Sequence, residues 1–520
     1  MPRLVHIGRM QSRAQGPTAC PAPPPWRARA VGRRAAARAA ATALAAGLLA
    51  GVTCTPPGAT SDGRVRAALA PCFPLAVREL ARCGTVWVFE DRARGAGPRI
   101  PLRVVVLPAR RHPAAPDPVV FLTGGPGLGA AAAPRYALNA LGAIRDGRDL
   151  VLVDQRGTGG SRALDCDVQA DGGRLQPHAG PAFPLEGVRR CRAALGARAD
   201  LRHYTTAHAA DDLADVLTAL GYRRANLLGV SYGSRAALVF LRRHPARVRA
   251  AVLHGVVSPE AVIPLAAGWA GGRALAAQAA ACAAETPCRD SFPDPAADLR
   301  AALDRLEQAP VRVTLWNWRR LRREEVLLTR RGVAERAWSM LYHPWDGRRM
   351  LGLVHRAAAG DWEPMAREAV AGGRGRTARR SMGLMLSVLC AEDAPRLAAA
   401  DTAAAARGSP LGLPMAHELL RACALWPPAA APLVTATPPA ASDVPVLLLS
   451  GGRDPVTPPE WGDSARATLT TSAHLVVPRA GHAELDDCVR GAIRAFLAAG
   501  TPNVVPTACA REPSAGRSND

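Results

Sequence analysis

The chain has 520 residues and a formal charge of +23, and every basic residue other than histidine is an arginine, scattered along its length. With aromatics at 4% and no RNA-binding or helix-turn-helix signature, this charge reads as coding bias rather than a phosphate-binding surface, and no nucleic-acid partner is expected. The length excludes a single minimal domain and suits a large core that carries an insertion.

Residues 1–54 read as a signal or targeting segment. Arg33, Arg34 and Arg38 precede an uncharged run from Ala39 to Val52, which suits a signal core and is short for a membrane span. Gly51-Val52-Thr53-Cys54 resembles a lipoprotein cleavage site, so lipidation at Cys54 is the one membrane attachment expected. The folded part begins at Cys72. Gly84 to Phe89 and Ile100 to Leu107 read as two strands around a Gly-rich turn. Pro118 to Leu122 and Leu150 to Val153 are continuous apolar runs, as expected of strands covered on both faces, with a helix from Arg135 to Ile144 between them. A helix at Ala207 to Leu220, a strand at Ala225 to Leu228, a helix from Arg235 and a strand at Val248 to Val257 continue the alternation. Strands alternating with helices predict a mostly parallel sheet in residues 72–257.

From 258 to 440 that alternation stops. The segment reads as mainly helical with one hairpin at Val311 to Leu328, an inserted lid that returns through Pro/Ala-rich residues 427–441. Residues 441–509 complete the core with a strand at Val444 to Leu449, a helix at Trp461 to Leu469, a strand at His474 to Val477 and a helix at Asp486 to Ala498. Residues 510–520 are polar and expected to be loose.

Twelve cysteines include no C-x-x-C pair and no zinc-spaced His/Cys cluster, and His417-Glu418 is followed by Arg421 where a zincin helix needs histidine, so no metal is expected. Cys20 and Cys54 fall in the leader. The other ten group by proximity as Cys72/Cys83, Cys166/Cys191, Cys282/Cys288, Cys390/Cys423 and Cys488/Cys509, an even count that fits an oxidising compartment.

Gly229-Val230-Ser231-Tyr232-Gly233 lies between a strand and a helix, the arrangement of a nucleophile elbow. A serine hydroxyl needs a base to take its proton and a carboxylate to orient that base. Asp454, in Asp454-Pro455-Val456-Thr457-Pro458-Pro459, and His482, in Gly481-His482, follow in the order Ser, Asp, His, each in a loop after a strand. Asp463 and Asp486 are rival acids, and Ser234 is a rival nucleophile. The oxyanion donors expected are the amides of Tyr232 and Gly125, since Pro126 has no N–H to give. Gly125 to Ala130 also matches a degenerate dinucleotide-binding pattern with Asp154 as the ribose acid, a reading that leaves Ser231, Asp454 and His482 unexplained.

Together, G-G-P-G at 124–127, D-Q-R-G-T-G at 154–159, G-V-S-Y-G-S at 229–234, D-P-V-T-P-P at 454–459 and G-H at 481–482 resemble the secreted tripeptidyl-aminopeptidase-like branch of the α/β-hydrolases, related to the prolyl aminopeptidases. Leu389-Cys390-Ala391-Glu392-Asp393 and Cys423 to Pro427 resemble that branch's lid. The chain departs from the pattern at His254, where aspartate is frequent, and at Ser234, where threonine is common. The resemblance implies an α/β-hydrolase fold with a large helical lid inserted before the last two strands. It also implies no cofactor, and a short peptide or amino-acyl substrate cleaved from a free N-terminus. Asp154 and Arg156 are expected to brace the loop beneath the oxyanion turn rather than to touch substrate. Glu392 and Asp393 are candidates to hold the substrate ammonium, or else a solvated lid pair. Two alternatives stand beside the aminopeptidase: an esterase using the same triad, and a surface binding protein with a dead site.

Overall fold

The computed structural model describes residues 67–506 and 510, apart from 171, 378–379, 400–401, 408, 414 and 431–438. The expectations on the leader 1–54, on Cys54, on Cys509 and on the tail beyond 510 lie outside the described residues.

Among the described residues nine strands form the main sheet: β1 Ala70–Cys72, β2 Ala81–Phe89, β3 Arg99–Leu107, β4 Val119–Leu122, β5 Leu150–Val153, β6 Ala225–Val230, β7 Val248–His254, then β10 Val446–Gly451 and β11 Ser472–Val477. The two remaining strands, β8 Val311–Asn317 and β9 Arg322–Leu328, pair apart from it as a hairpin. The sheet order is β1-β2-β3-β5-β4-β6-β7-β10-β11. β1, β2 and β3 are antiparallel to their neighbours, and β5, β4, β6, β7, β10 and β11 run parallel to one another. β4, β5, β6 and β10 are buried at every position, which is why β4 and β5 read as unbroken apolar runs and β6 and β10 as mainly apolar ones. One core face includes Leu227, Leu238, Phe240 and Leu448, and the other Leu228, Leu447, Leu449, Ile493 and Phe496.

Between β7 and β10 the chain runs through a helical insertion, beginning with Ile263–Ala284 and ending with Ala416–Cys423, with the β8–β9 hairpin inside it. The insertion has its own apolar cluster, including Leu303, Val326, Val333, Met350 and Met365. Its helix Met382–Glu392 is buried nearly all round and joins the main core, with Leu386, Val388 and Leu389 in the same cluster as β6. Disulfides close Cys72–Cys83, Cys166–Cys191, Cys282–Cys288 and Cys390–Cys423, and the last ties helix Met382–Glu392 to helix Ala416–Cys423. Cys488 is also disulfide-bonded.

Candidate active site

Strand β6 ends in a sharp reversal at Ser231. Ser231 sits at φ +57°, ψ −128°, a conformation costly for a side chain with a Cβ, and helix Tyr232–Arg243 starts directly after it. The flanking glycines are required by close approach. A Cβ on Gly233 would lie 1.9 Å from the Leu122 carbonyl oxygen, and one on Gly229 would lie 2.6 Å from that of Gly233. The elbow is further held by the Ser231 amide donating to the His254 carbonyl at 2.9 Å. Ser234 Oγ donates to the Ser231 carbonyl at 2.6 Å and accepts from the Val257 amide at 2.8 Å. Ser234, fully buried and spent on the elbow backbone, is thereby removed as a rival nucleophile.

Asp454 follows β10 and is buried. Its Oδ1 accepts from the amides of Val456 and Thr457, each at 2.8 Å, and its Oδ2 lies 2.8 Å from His482 Nδ1. Burial alone would raise its pKa, but the charge and hydrogen bond of His482 and the Thr457 bonds outweigh burial and hold the carboxyl below its ordinary value. Thr457 is a partner that the sequence did not single out. Its Oγ1 donates to Asp454 Oδ2 at 2.6 Å and lies 3.0 Å from His482 Nδ1. The rival acids are used elsewhere: Asp463 meets His474 at 2.8 Å, and Asp486 caps the following helix by accepting from the Val489 amide.

The insertion fastens the loops that carry these groups. The Tyr342 carbonyl accepts from the His482 amide at 2.7 Å, and the Tyr342 ring meets the imidazole edge-on. A Cβ on Gly481 would stand 2.3 Å from the same carbonyl oxygen, which explains the Gly-His pair. Trp338 Nε1 donates to the Pro455 carbonyl at 3.1 Å, beside Asp454. The Ser381 amide donates to the Gly127 carbonyl at 2.9 Å.

Ser231 and His482 line one cavity of about 690 Å³, together with Gly124, Gly125 and Tyr232. No hydrogen bond joins the Ser231 hydroxyl to His482 among the described residues; such contacts are often long before substrate binds. Gly124 lies directly over the serine, where a Cβ would be 3.3 Å from Ser231 Oγ. Gly125 turns at φ +119°, and the Tyr232 amide, the first of its helix, has no acceptor within that helix. Beneath this turn Asp154 accepts from the amides of Ala131 and Gly160 at 2.8 and 2.9 Å. Arg156 is fully buried, with Nη2 and Nε both 2.7 Å from Asp212 and Nη1 2.7 Å from the His203 carbonyl. Asp154 thus ties the loop after the oxyanion turn to Gly160 and is not exposed to a ribose, whereas Arg156 ties its loop to Asp212 and to the carbonyls of Phe89, Glu90 and His203 rather than to that turn.

Glu392 and Asp393 require a correction: neither lines the cavity and neither is solvated. Asp393 pairs with Arg235 at 2.9 Å, and Glu392 accepts from the Thr206 amide and hydroxyl at 2.7 and 2.8 Å. Thr206 Oγ1 in turn lies 2.8 Å from the Tyr232 hydroxyl. Burial raises the Glu392 pKa against the opposing pull of Arg235. The physical reason is Arg235 itself, on the buried face of the elbow helix: a guanidinium there demands carboxylates from whatever packs against it. The one carboxylate among the described lining residues is Glu335, on helix Arg330–Met340 and only 3% exposed. Its only trace in the sequence is a glutamate on the apolar stripe of that helix, between Val333 and Trp338. His254 is buried under the elbow, hydrogen-bonded through Nδ1 to the Tyr136 hydroxyl, and its pKa is pushed down to about 3, by burial first and then by the charge of His482. No group of His, Cys, Asp and Glu able to hold a metal ion occurs among the described residues.

A parallel sheet that turns sharply at a serine and faces it with a His–Asp pair at the carboxyl ends of the next strands has the architecture of an α/β hydrolase. Residues 117–487 match the family described as alpha/beta hydrolase fold, and the chain belongs to it. Among curated proteins it is similar to serine protease Hip1 of Mycobacterium tuberculosis, 33% identical over 197 residues that cover 35% of this chain and 37% of the relative. It is also similar to tripeptidyl aminopeptidase of Streptomyces lividans, 30% identical over 196 residues that cover 34% and 36% of the two chains. The match thus spans little more than a third of the length of these relatives. Among solved structures, proline iminopeptidase of Mycobacterium smegmatis aligns over 80% of this chain and 98% of its own, at 17% identity and a TM-score of 0.40.

Proposed function

We propose that the chain is an exported serine peptidase of aminopeptidase type, which releases amino acids or short peptides from free N-termini through an acyl-enzyme. The observation that carries this reading is the 2.8 Å His482–Asp454 pair, set in the same cavity as a serine held in a strained elbow conformation. In the reaction His482 Nε2 takes the Ser231 proton as Oγ attacks the scissile carbonyl, and Asp454 holds the tautomer that leaves Nε2 free to accept. The Tyr232 and Gly125 amides receive the oxyanion, with the N-terminal end of the elbow helix adding its partial positive charge. His482 then returns the proton to the leaving amine, and water repeats the sequence to free the acyl group. Glu335 is assigned the substrate ammonium, because an exopeptidase needs an anion at fixed distance from its nucleophile.

Residues 72–257 and 441–509 form the catalytic core in this reading, and 258–440 supply the cavity wall that limits substrate length. The names of the curated relatives favour a peptide substrate over an ester. The closed disulfides favour an oxidising compartment, consistent with a leader at 1–54 and with Cys54 as a lipidation site. A panel of aminoacyl-naphthylamides against p-nitrophenyl esters, each with and without an N-acetyl block, tests the assignment. Higher kcat/KM on unblocked naphthylamides is expected, and preference for esters with indifference to the block would make the protein an esterase.

A further inference from the structure

The β8–β9 hairpin is packed on one side, and its other side carries the exposed apolar side chains Trp316, Trp318 and Leu321 among charged ones such as Arg312, Arg323 and Glu325. Leu315, Val326 and Leu328 are buried in the insertion core, and Asn317 Nδ2 donates to the Gly173 carbonyl at 2.8 Å and to Glu324 at 3.0 Å. The hairpin cannot roll over to hide its outer face. On that face Trp316 stands directly opposite Arg323 across the strands, and its ring meets Trp318 edge-on with centroids 5.8 Å apart. Trp318 and Leu321, at the tip, are 77% and 71% exposed. Four arginines, 319, 320, 322 and 323, flank these residues along the chain. Arg320 and Arg322 share Glu324 at 3.1 and 3.0 Å, and Glu325 meets Arg312 at 3.5 Å. Arg319 and Arg323 have no acidic partner among the described residues.

We propose that this tip is a docking wedge for an anionic lipid surface. An indole and a leucine projecting from a fixed hairpin are solvated at a cost that folding does not recover, so the patch calls for a partner that covers it. A tryptophan settles at the boundary between headgroup and acyl chain, where its ring is apolar and its N–H is wet. Unpaired arginines beside it reach the phosphates, each strengthening binding to an anionic surface about fivefold. An apolar knob collared by cations matches a layer with anions above hydrocarbon; a protein partner would need a groove of the same shape. The wedge would hold the catalytic domain against a membrane independently of any acyl chain at Cys54.

Co-sedimentation of the full chain with phosphatidylcholine vesicles, and with vesicles containing about one third phosphatidylglycerol, tests this. Residues 1–54 are common to all variants, so differences between variants read the hairpin alone. The wild type is expected to bind the anionic vesicles more tightly than the neutral ones. Trp318→Ser with Leu321→Ser weakens that binding about tenfold, and Arg319→Gln with Arg323→Gln lowers binding to the anionic vesicles by about twenty-fivefold while leaving binding to neutral ones unchanged. Both double variants keep the wild-type melting temperature and turnover of a soluble substrate. Equal partition of wild type and variants overturns the proposal. So does self-association in lipid-free solution, or retention of the chain on nucleic acid, that the Trp318/Leu321 variant abolishes while lipid binding stays unchanged.

Discussion

Nδ1 of His482 lies 2.8 Å from Oδ2 of Asp454, at the carboxyl ends of two neighbouring parallel strands. The carboxylate is otherwise filled by amides and a hydroxyl, so its only route to the reaction is through the imidazole. Asp454→Asn keeps the shape but offers an N–H where an acceptor is needed and favours the wrong histidine tautomer. A fall in kcat of about 10⁴-fold is expected, with the fold intact by circular dichroism. Steady-state kinetics on an aminoacyl-naphthylamide check it.

The insertion acts as a fixed clamp on the catalytic loops. Trp338→Phe removes the bond to the Pro455 carbonyl while keeping most of the ring, and so loosens the Asp454 loop without emptying the cavity wall. The expected outcome is a drop in kcat of about tenfold with KM nearly unchanged, since a small misplacement of the base costs rate more than binding. A rise in KM alone would assign Trp338 to substrate contact.

Glu335→Gln and Glu392→Gln separate the two acidic positions. The first is expected to raise KM for free-amine peptides at least tenfold and leave N-blocked esters unaffected, as loss of a charged contact in an apolar cavity should. The second disturbs the bonds from Thr206 and the nearby Arg235 charge, and is expected to lower the melting temperature while KM stays put.

Acid sensitivity follows from His254. An unfolded chain protonates this imidazole near 6.5, the folded chain only near 3, so the unfolded state binds more protons between those values. Stability is complete above about pH 6.5 and is lost progressively as pH falls through that window. His208, also held to about 3, mainly by burial, contributes with the same sign. Denaturant unfolding at about pH 7 and pH 5 should show His254→Asn losing less stability on acidification than the wild type.

Much of this architecture was legible because buried parallel strands leave little choice of residue. β4, β5 and β10 read as apolar runs, and the glycines at 229 and 233 marked the elbow through steric necessity. β1 escaped notice because three residues at a sheet edge carry no pattern. The predicted helix from Arg135 to Ile144 is split into Arg135–Leu141 and Ile144–Gly147, because Gly142 adopts φ +45°. Glu392 and Asp393 misled because sequence gives their charge and not their direction; the buried Arg235 that claims them is remote in the chain. Glu335 and Thr457 stayed hidden for the converse reason: Glu335 is brought to the cavity by the packing of the insertion, and Thr457 reaches the His–Asp pair through the local turn that follows Asp454.

The most direct test is reaction with a fluorophosphonate followed by mass spectrometry of the modified peptide. A single adduct on Ser231 is predicted, forming in step with loss of activity and absent from Ser231→Ala and strongly slowed in His482→Ala. An adduct on Ser234, or a Ser231→Ala variant that still turns over substrate, would contradict the account.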